Sequence, residues 1–458
     1  MQSVGKKNLS SPIPIHMQDP YPVPPFTVPA AAKVSVPGSK SITNRALILA
    51  ALADGSTILE NCLFSRDTDI MVQALIALGF EVETNVSAKT IRVRGCGGII
   101  PNAQADIDIG NSGTSARFLT AMLAVRDSGE YQLDGDEAMR RRPIQKLADT
   151  LSVLGCEIET TNGYFPIRIR PHGLSGSSAT VDATESSQFV SALLMAAPLA
   201  QSDIEIRLSN PTIRRGYIDL TLKMMQSFGI PAHKLTTNES SYNIGASPYK
   251  APSANYAIES DASAASYFIA LPLAVGGIIE IDGVTKNSMQ GDIAFANIAE
   301  SAGATLEWTS SSLVVNFDRT NNRLGSLGAN YYAFSDTFMT GAAIAPLAND
   351  ATLIERIEHT RHQECDRIAA MVDGLKRLGQ HTHDKRASLE IAPAPLRPAT
   401  IDTFEDHRIA MSFAILGSHD TLGNGEPWMQ IADPLCCRKT FPNYFEVLES
   451  AREQSVIA

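Results

Sequence analysis

Two kinds of apolar pattern alternate along the chain and predict two series of helices. In the first series, apolar residues recur three and four positions apart, and a glycine and a strand-like run follow. The glycines are Gly79, Gly155, Gly229, Gly303 and Gly379, with spacings of 76, 74, 74 and 76 residues. Each is expected just after a helix at a positive φ, which glycine adopts without steric cost. A sixth stretch, NYFEVLESAREQ, falls where the next copy is due.

The second series consists of helices that are apolar nearly all round, so they are expected to be buried. Each opens on a small or acidic residue suited to a helix N-terminus. These residues are Ser41, Gly113, Ser186, Asp261, Asp336 and Asp406, in steps of 72, 73, 75, 75 and 70. Short stretches between the helices, such as TIRVRG, YFPIRIR and SSLVVNF, predict strands. The pattern therefore predicts six copies of a unit with two helices and about four strands.

Composition and charge narrow the class of protein. The 458 residues are 44% hydrophobic and 19% charged, enough for two or three domains with large cores. No apolar run is long enough to span a membrane, and the net charge of −11 argues against nucleic acid or an anionic membrane as a partner. Six cysteines without a CxxC pair predict reduced thiols in a cytoplasmic protein. The proline-rich residues 1–28 are expected to form a flexible or loosely draped extension.

Cations near the predicted helix ends indicate an anion site. If the six N-termini of the second series meet, their dipoles and unpaired N–H groups favour anions there. Lys40 and Arg45 begin one such helix, although VPGSKS lacks the upstream glycine of a nucleotide-binding phosphate loop. The other cations are Arg117, Arg142, Arg367, Arg408 and Lys439. Singly, each is compatible with a surface salt bridge; jointly, they predict a cleft for a substrate with several phosphate or carboxylate groups.

Three residues are candidates for acid–base chemistry: Asp336, Glu364 and His407. Asp336 opens an apolar helix, so it is either an N-cap or a base. Carboxylates near Lys or Arg normally stay ionised at neutral pH, which favours a general base over an acid. The pair His381 and His383 has no third ligand nearby in the sequence, so no metal site is predicted.

The motifs taken in order resemble those of the 5-enolpyruvylshikimate-3-phosphate synthases, a family of enolpyruvyl transferases. They run from about Val34 to Phe445 and read VPGSKSITNRALILAALADG, SRDTDIM, GNSGTSAR, RRPI, ESSQFVSALLMAAPLA, SDASAASYF, NSMQGDI, SDTFMTGAA, ECDR, EDHRIAM and KTFPNYF. The resemblance implies an α/β (α+β) fold, a two-domain inside-out α/β barrel of six βαβαββ repeats. Three repeats form each domain, and the N-termini of the buried helices face the interdomain cleft. The expected domains are 39–255 and 29–38 plus 256–458.

The resemblance also implies a reaction. Family members transfer the enolpyruvyl group of phosphoenolpyruvate to the 5-hydroxyl of shikimate 3-phosphate and release phosphate, a step towards chorismate and the aromatic amino acids. The reaction is an addition followed by an elimination, through a tetrahedral intermediate. It uses no metal or organic cofactor. A cytoplasmic monomer acting on these small anions is therefore expected, with an acid and a base facing each other in a cationic cleft.

The matching motifs imply roles for individual residues. Asp336 is expected to be the base towards the 5-hydroxyl, and Glu364 with Lys40 to handle protons at the enol carbon. The residues implied for shikimate 3-phosphate are Lys40, Ser41, Arg45, Ser186, Ser187, Gln188, Asp336, His359 and Gln363. Those implied for phosphoenolpyruvate are Lys40, Gly113, Arg142, Gln188, Arg367, Arg408 and Lys439. Asn111 and Arg117 belong to the same lining, and Gly113 is the feature that favours binding of glyphosate.

Some positions depart from the family pattern. Where the family commonly reads N-x-R-x-K-E-T-D-R, this chain has His359 for the Asn and Gln363 for the Lys. Gln363 can still donate to a substrate oxygen but brings no charge. A serine of the family is Arg214 here, while Ser112 and Phe118 stand where Ala and Pro are common.

Two alternative functions are weighed against this one. The sister family, the UDP-N-acetylglucosamine enolpyruvyl transferases, has a Lys-Asn pair where this chain has Lys40-Ser41. The other alternative is a non-catalytic relative that binds a phosphorylated metabolite, with Gln363 as a sign of decay. The intact charged residues argue against that decay.

Overall fold

The structure is a computed structural model, and it describes residues 17–211 and 215–457. Two compact units divide the described chain. The first runs from Gly38 to Ile258, and the second takes in the described residues up to Pro37 and those from Glu259 onward. Arg214 and residues 1–16 of the expected extension lie outside the described residues.

Helices of two kinds alternate along the described chain. They are α1 (Lys40–Leu52), α2 (Arg66–Ala77), α3 (Gly113–Leu123), α4 (Gln145–Val153), α5 (Gln188–Ala196), α6 (Gly216–Ser227), α7 (Ala262–Val275), α8 (Phe295–Ser301), α9 (Phe338–Ile344), α10 (Arg367–Arg377), α11 (His407–Gly417) and α12 (Tyr444–Ile457). The odd-numbered helices are buried almost all round, whereas the even-numbered ones keep an exposed face. Both predicted series are therefore confirmed.

The strands are short and fall between these helices. They are β1 (Tyr21–Pro22), β2 (Ala30–Ser35), β3 (Asp54–Glu60), β4 (Glu81–Asn85), β5 (Thr90–Cys96), β6 (Gln104–Asp108), β7 (Glu130–Asp134), β8 (Glu157–Thr161), β9 (Tyr164–Arg170), β10 (Ser178–Val181), β11 (Ile204–Leu208), β12 (Leu235–Thr237), β13 (Ser241–Ile244), β14 (Tyr256–Ala257), β15 (Gly277–Asp282), β16 (Thr305–Trp308), β17 (Ser312–Phe317), β18 (Ala329–Asn330), β19 (Thr352–Glu355), β20 (His381–Asp384), β21 (Leu389–Ala392), β22 (Ala399–Ile401) and β23 (Met429–Ile431).

Within the described residues, the strands form six sheets, three in each unit. Those of the first unit have the orders β14-β3-β5-β4, β6-β7-β9-β8 and β10-β11-β13-β12. Those of the second have the orders β16-β17-β15-β2, β18-β19-β21-β20 and β1-β23-β22. The complete repeat is clearest around α3: β6 and β7 are parallel across that helix, α4 follows, and the antiparallel β8 and β9 close the sheet on β7. A parallel pair needs such a crossover, so the repeat is βαβαββ.

The predicted glycine positions take the conformation that ends a helix. Gly79, Gly155, Gly229, Gly303 and Gly379 have φ of 91°, 110°, 90°, 111° and 89°. Each directly follows the C-cap residue of an even-numbered helix, which is where a left-handed residue satisfies the last carbonyls. The helix α12 occupies the sixth position of the series, as predicted.

The described part of the proline-rich extension is ordered, so the prediction of a flexible segment is wrong for residues 17–28. Strand β1 pairs antiparallel with β23 and completes the last sheet of the second unit. Val23 donates a backbone hydrogen bond of 3.0 Å to Met429, and Val23 and Phe26 are buried in that unit's core. Proline is tolerated there because β1 is an edge strand, where one side needs no donor. No helix in the described ranges is long and apolar enough to span a membrane.

Candidate active site

Arg367, the first residue of α10, is the centre of a buried ion-pair cluster in the second unit. Its side chain is only 2% exposed and binds three carboxylates: Asp406 at 2.7 Å, Glu364 at 2.9 Å and Asp336 at 3.2 Å. Burial lowers the pKa of Arg367, but the carboxylates of Asp406, Glu364 and Asp336 outweigh it and raise this pKa above its ordinary range. The guanidinium therefore stays charged and fixes three acids around itself.

Asp336 is held by a second guanidinium. Its Oδ2 lies 2.8 Å from Nη2 of Arg408, which belongs to the first turn of α11. The residue was expected to open an apolar helix, but it lies instead in a 3₁₀ turn (Tyr332–Thr337) just before α9. The backbone of Phe334 in this turn has non-helical φ and ψ angles. The Asp336 carboxylate contacts both Arg367 and Arg408. Two cations favour the ionised form, and the side chain remains 17% exposed.

Glu364 has a similar pair of cationic neighbours. Besides its contact with Arg367, its Oε1 lies 2.9 Å from Nζ of Lys439. Lys439 ends a 3₁₀ helix (Pro434–Lys439) that packs on α11. The second unit thus brings together all five of its predicted charged site residues: Asp336, Glu364, Arg367, Arg408 and Lys439.

The two departures from the family pattern lie beside the same cluster. Gln363 accepts a hydrogen bond from Nη1 of Arg367 through its side-chain carbonyl. His359 places Nε2 2.8 Å from the hydroxyl of Ser335, the residue before Asp336. A neutral acceptor therefore contacts the central arginine at the position where the family pattern commonly has a lysine.

His407 is the least accessible of the three acid–base candidates. Its side chain is 1% exposed, and Nδ1 lies 3.5 Å from Oδ1 of Asp406. Asp406 caps the N-terminus of α11 by accepting from the backbone N–H of Arg408. The imidazole is therefore buried beside Asp406, whereas Asp336 and Glu364 keep some exposure.

In the first unit, Lys40 begins α1 and is ion-paired. Its Nζ lies 3.2 Å from Oδ2 of the buried Asp67 in the first turn of α2. Ser39 is the N-cap of α1, and Ser41 falls within the helix. An ammonium at a helix N-terminus is suited to contact an anion, because the free backbone N–H groups and the positive end of the helix dipole also attract negative charge.

Around Gly113, the first residue of α3, two arginines and a glutamine meet. A Cβ on Gly113 would lie 2.8 Å from Nη1 of Arg142, 3.1 Å from Nη1 of Arg117 and 3.9 Å from Oε1 of Gln188. Gln188, which begins α5, donates to Thr114 at 3.3 Å. Burial, followed by the neighbouring Arg142, lowers the pKa of Arg117 to about 9. Two arginines beside a helix N-terminus favour a bound anion.

Arg45 is engaged mainly with the protein. Its guanidinium donates to Thr221 at 2.8 Å and Ser191 at 3.2 Å, and it stacks 4.9 Å from the ring centroid of Phe118. Burial lowers its pKa to about 10. Of the serines expected near it, Ser187 is the N-cap of α5, and Ser186 accepts from the backbone of Gln188 at 3.2 Å. The sequence pattern had placed the start of this helix at Ser186, but the helix begins two residues later, at Gln188.

Comparison with known proteins identifies the family. The sequence profile described as EPSP synthase (3-phosphoshikimate 1-carboxyvinyltransferase) matches residues 27–448. The chain belongs to the EPSP synthase family. A 3-phosphoshikimate 1-carboxyvinyltransferase from Opitutus terrae is 44% identical over 451 residues, covering 96% of this chain and 99% of the relative. The enzyme of that name from Trichormus variabilis is 39% identical, covering 93% and 98%.

The fold agrees with that of the EPSP synthase family. A solved EPSP synthase from Acinetobacter baumannii superposes with a TM-score of 0.76 at 24% identity, covering 94% of this chain and 97% of that chain. A plant relative, the chloroplastic 3-phosphoshikimate 1-carboxyvinyltransferase of Brassica napus, is 38% identical over 91% of this chain and 82% of its own length. The family and the fold class predicted from the motifs are therefore confirmed.

Sequence reasoning missed several partners of the EPSP synthase motif residues. Asp67 was not expected at the site and Asp406 was expected only as a helix start, although the structure pairs them with Lys40 and Arg367. Both lie inside quoted motifs, SRDTDIM and EDHRIAM, so their motif context was the available signal. Cys365, beside Glu364, places its thiol 3.7 Å from Asp406, and nothing in the sequence pattern pointed to this contact.

Proposed function

We propose that this protein is a 3-phosphoshikimate 1-carboxyvinyltransferase. It transfers the enolpyruvyl group of phosphoenolpyruvate to the 5-hydroxyl of shikimate 3-phosphate and releases phosphate. One observation carries the proposal: Asp336 and Glu364, two partly accessible carboxylates, share the buried Arg367, and each has a second cation of its own. Such a cluster suits a reaction in which protons move between carboxylates while anionic substrates are held.

Asp336 is assigned as the base of the addition step. Ionised between Arg367 and Arg408, it accepts the proton of the 5-hydroxyl as that oxygen bonds to C2 of phosphoenolpyruvate. A proton reaches C3 in the same step, and the Lys40 ammonium is assigned to deliver it. The product of this step is the tetrahedral intermediate, with both oxygen substituents on C2.

The elimination step reverses the proton transfer at C3. The bond between C2 and the phosphate oxygen breaks, C3 loses a proton, and phosphate leaves with the bonding electrons. Glu364, held between Arg367 and Lys439, is suited to accept that proton because its neighbours favour the carboxylate form. The enol ether product and phosphate account for all atoms of the two substrates.

Anion binding is assigned to the cations and helix N-termini. For phosphoenolpyruvate these are Lys40, Gly113, Arg142 and Gln188 of the first unit and Arg367, Arg408 and Lys439 of the second. For shikimate 3-phosphate they are Lys40, Ser41, Arg45, Ser186, Ser187 and Gln188 of the first unit and Asp336, His359 and Gln363 of the second. Arg142 beside Gly113 supports the first assignment, since a guanidinium can bind a phosphate through two parallel N–H groups. We also propose that the protein works without a cofactor, as a cytoplasmic monomer.

Phosphate release tests the proposal directly. Purified protein is given phosphoenolpyruvate with shikimate 3-phosphate, and UDP-N-acetylglucosamine serves as the parallel acceptor. Release with the shikimate acceptor alone is expected. Release with the other acceptor alone would assign the protein to the sister family, and silence with both would favour a binding protein. Light scattering of the same sample measures the mass in solution.

A charge-neutral variant separates catalysis from binding. Glu364→Gln is expected to lower the rate by about 10²–10⁴-fold, while the affinity for substrates stays nearly normal. The matched control is Glu280→Gln, which alters a half-buried glutamate paired with Lys33 outside the cluster. Loss of substrate binding in Glu364→Gln, with little change in the remaining rate per bound substrate, would contradict the catalytic role.

A further inference from the structure

The segment between β19 and α10 carries four of the proposed site residues but little regular structure. It begins with a 3₁₀ helix (Glu358–His362) and ends where α10 begins. Its site residues are His359, Gln363, Glu364 and Arg367. Gln363, the C-cap of the 3₁₀ helix, has φ of −97° and ψ of −133°, outside the helical region. No continuous helix therefore fixes the four side chains relative to one another.

Arg361, inside that 3₁₀ helix, joins the segment to two other places in the second unit. Its Nη1 donates to both carboxylate oxygens of Asp366, at 3.1 and 2.9 Å, and its Nη2 donates to Oδ1 of Asp384. Nε and Nη2 also donate to the backbone carbonyl of Arg386, at 3.1 and 3.0 Å, in the turn between β20 and β21. The side chain is only 18% exposed. All three nitrogens of the guanidinium are thus engaged in a bridge.

The two carboxylates of this bridge belong to the start of a helix and to a turn. Asp366 is the N-cap of α10 and accepts a backbone N–H of the first helical turn at 3.0 Å. Asp384 ends β20 and accepts the backbone N–H of Arg386 at 2.8 Å. The hydrogen bond from Arg361 lowers the pKa of Asp384, which therefore stays ionised at neutral pH. Arg361 connects the start of α10 to the β20–β21 turn.

We propose that Arg361 is a positioning residue for shikimate 3-phosphate. Its bridge holds the bend between the 3₁₀ helix and α10, and this bend determines where His359 and Gln363 meet the substrate. The inference rests on the proposed function, which assigns these two residues to shikimate 3-phosphate. A planar guanidinium suits this task, because its donors are held in a fixed geometry and reach two carboxylates at once.

The binding of phosphoenolpyruvate should depend on the bridge much less. Arg367 is the only residue of the segment assigned to that substrate alone. Its guanidinium is also bound by Asp406 at 2.7 Å and by Asp336 at 3.2 Å, which lie outside the segment. These contacts should keep Arg367 in place when the bridge is lost. The proposal therefore predicts different effects on the two substrates.

A second ion pair joins the same 3₁₀ helix to the same turn and supplies a matched control. Oε1 of Glu358 lies 2.8 Å from Nε of Arg386, whose side chain is 86% exposed. Exposed pairs of this kind contribute little, and this pair does not include Asp366. Glu358→Gln should therefore change neither KM by more than about threefold.

Steady-state kinetics of Arg361→Gln test the proposal. The KM for shikimate 3-phosphate is expected to rise by about 10- to 100-fold, because small displacements of binding groups have effects of this size. The KM for phosphoenolpyruvate should stay within about threefold of wild type. An equal rise in both constants, or an unchanged KM for shikimate 3-phosphate in a folded variant, would overturn the proposal.

Asp384→Asn provides a milder change at the other end of the bridge. It keeps an acceptor for the backbone N–H of Arg386 and removes the charge that faces Arg361. Its effect on the KM for shikimate 3-phosphate should have the same direction and be smaller. The double variant should be no worse than Arg361→Gln, because both substitutions remove the same interaction. Multiplied effects would show that the two residues act independently, and the bridge would be wrong.

Hydrogen exchange separates this proposal from the proposed function, because it needs no activity. The backbone amides of residues 359–366 are expected to exchange faster in Arg361→Gln than in wild type or Glu358→Gln. Exchange in the first unit is the internal reference for a general loss of stability. Equal exchange in the segment would show that the bridge does not hold it, whatever reaction the protein catalyses. Failure of the proposed function alone would appear instead as faster exchange in Arg361→Gln while the wild-type protein releases no phosphate.

Discussion

The side-chain carbonyl of Gln363 accepts a hydrogen bond from the guanidinium of Arg367. The two residues are one helical turn apart in sequence, and Arg367 also contacts the carboxylates of Asp336 and Glu364. Gln363 therefore contributes to the position of the central cation, in addition to the substrate contact proposed for it. Two substitutions at this position separate the two contributions.

Gln363→Met keeps the length of the side chain and removes the acceptor. The free energy of unfolding is expected to fall by about 1–2 kcal/mol, because a buried guanidinium loses a partner. Gln363→Lys should be destabilised to a similar extent, but its KM for shikimate 3-phosphate should be lower than that of Gln363→Met, since an ammonium attracts the phosphate. Urea denaturation and steady-state kinetics provide these values. A Met variant as stable as wild type would contradict the positional role.

Asp336→Asn removes the proposed base without a change of shape. We expect kcat to fall by about 10²–10⁴-fold, because the amide cannot take the proton of the 5-hydroxyl. Binding of phosphoenolpyruvate should change much less, as measured by calorimetry. Asp282→Asn is the control, since Asp282 forms an exposed ion pair of 3.4 Å with Lys33 and such pairs contribute little. Retention of more than a tenth of kcat in Asp336→Asn would rule out the assigned role.

Gly113→Ala introduces a methyl group beside two arginines. The added carbon would lie 2.8 Å from Nη1 of Arg142 and 3.1 Å from Nη1 of Arg117, so a guanidinium must move. Because these atoms are the ends of flexible side chains, the fold should survive, while KM for phosphoenolpyruvate is expected to rise by about tenfold as a charged hydrogen bond weakens. The KM for shikimate 3-phosphate serves as the internal reference. An equal rise in both constants would indicate a general distortion of α3.

Lys146 holds the segment that leads into Ser186. Its ammonium lies 2.8 Å from Asp182 and 2.8 Å from Glu185. The hydrogen bond from Lys146, followed by that from Thr184, lowers the pKa of Asp182 to about 2. Since the folded value is below the ordinary 3.8, this contribution to stability is present above about pH 4 and disappears as the pH falls through about 2.

Asp182→Asn is expected to lower the free energy of unfolding at pH 7 by less than about 1 kcal/mol, because the ion pair is partly exposed. The difference from wild type should vanish near pH 2, as measured by denaturant titrations across the pH range. A difference that grows as the pH falls would have the wrong sign for an ion pair.

Much of the fold could be predicted because its signals are local. Gly79 and the four equivalent glycines follow amphipathic stretches, and helix endings of this kind depend on the φ of one residue. The segments that became α3 and α11 are apolar nearly all round, which required burial whatever their partners. Residues 17–28 were misjudged, since a run rich in proline carries no pattern that identifies β23 as its partner.

The sequence by itself determined the six repeats, the two kinds of helix, the family, and the set of charged residues around the helix starts. Tertiary structure alone decided which of these charges meet. Asp336 and Arg408 are 72 residues apart in the chain and touch because α9 and α11 pack together. Asp336 lies in a 3₁₀ turn and not at the helix start that its pattern predicted. Asp292 lies in a second 3₁₀ turn that packs against the first. The interaction between two charges depends on their distance in space, which the spacing of residues along the chain does not give. The partners of each charged side chain, its burial and its pKa are therefore determined only when the helices pack together.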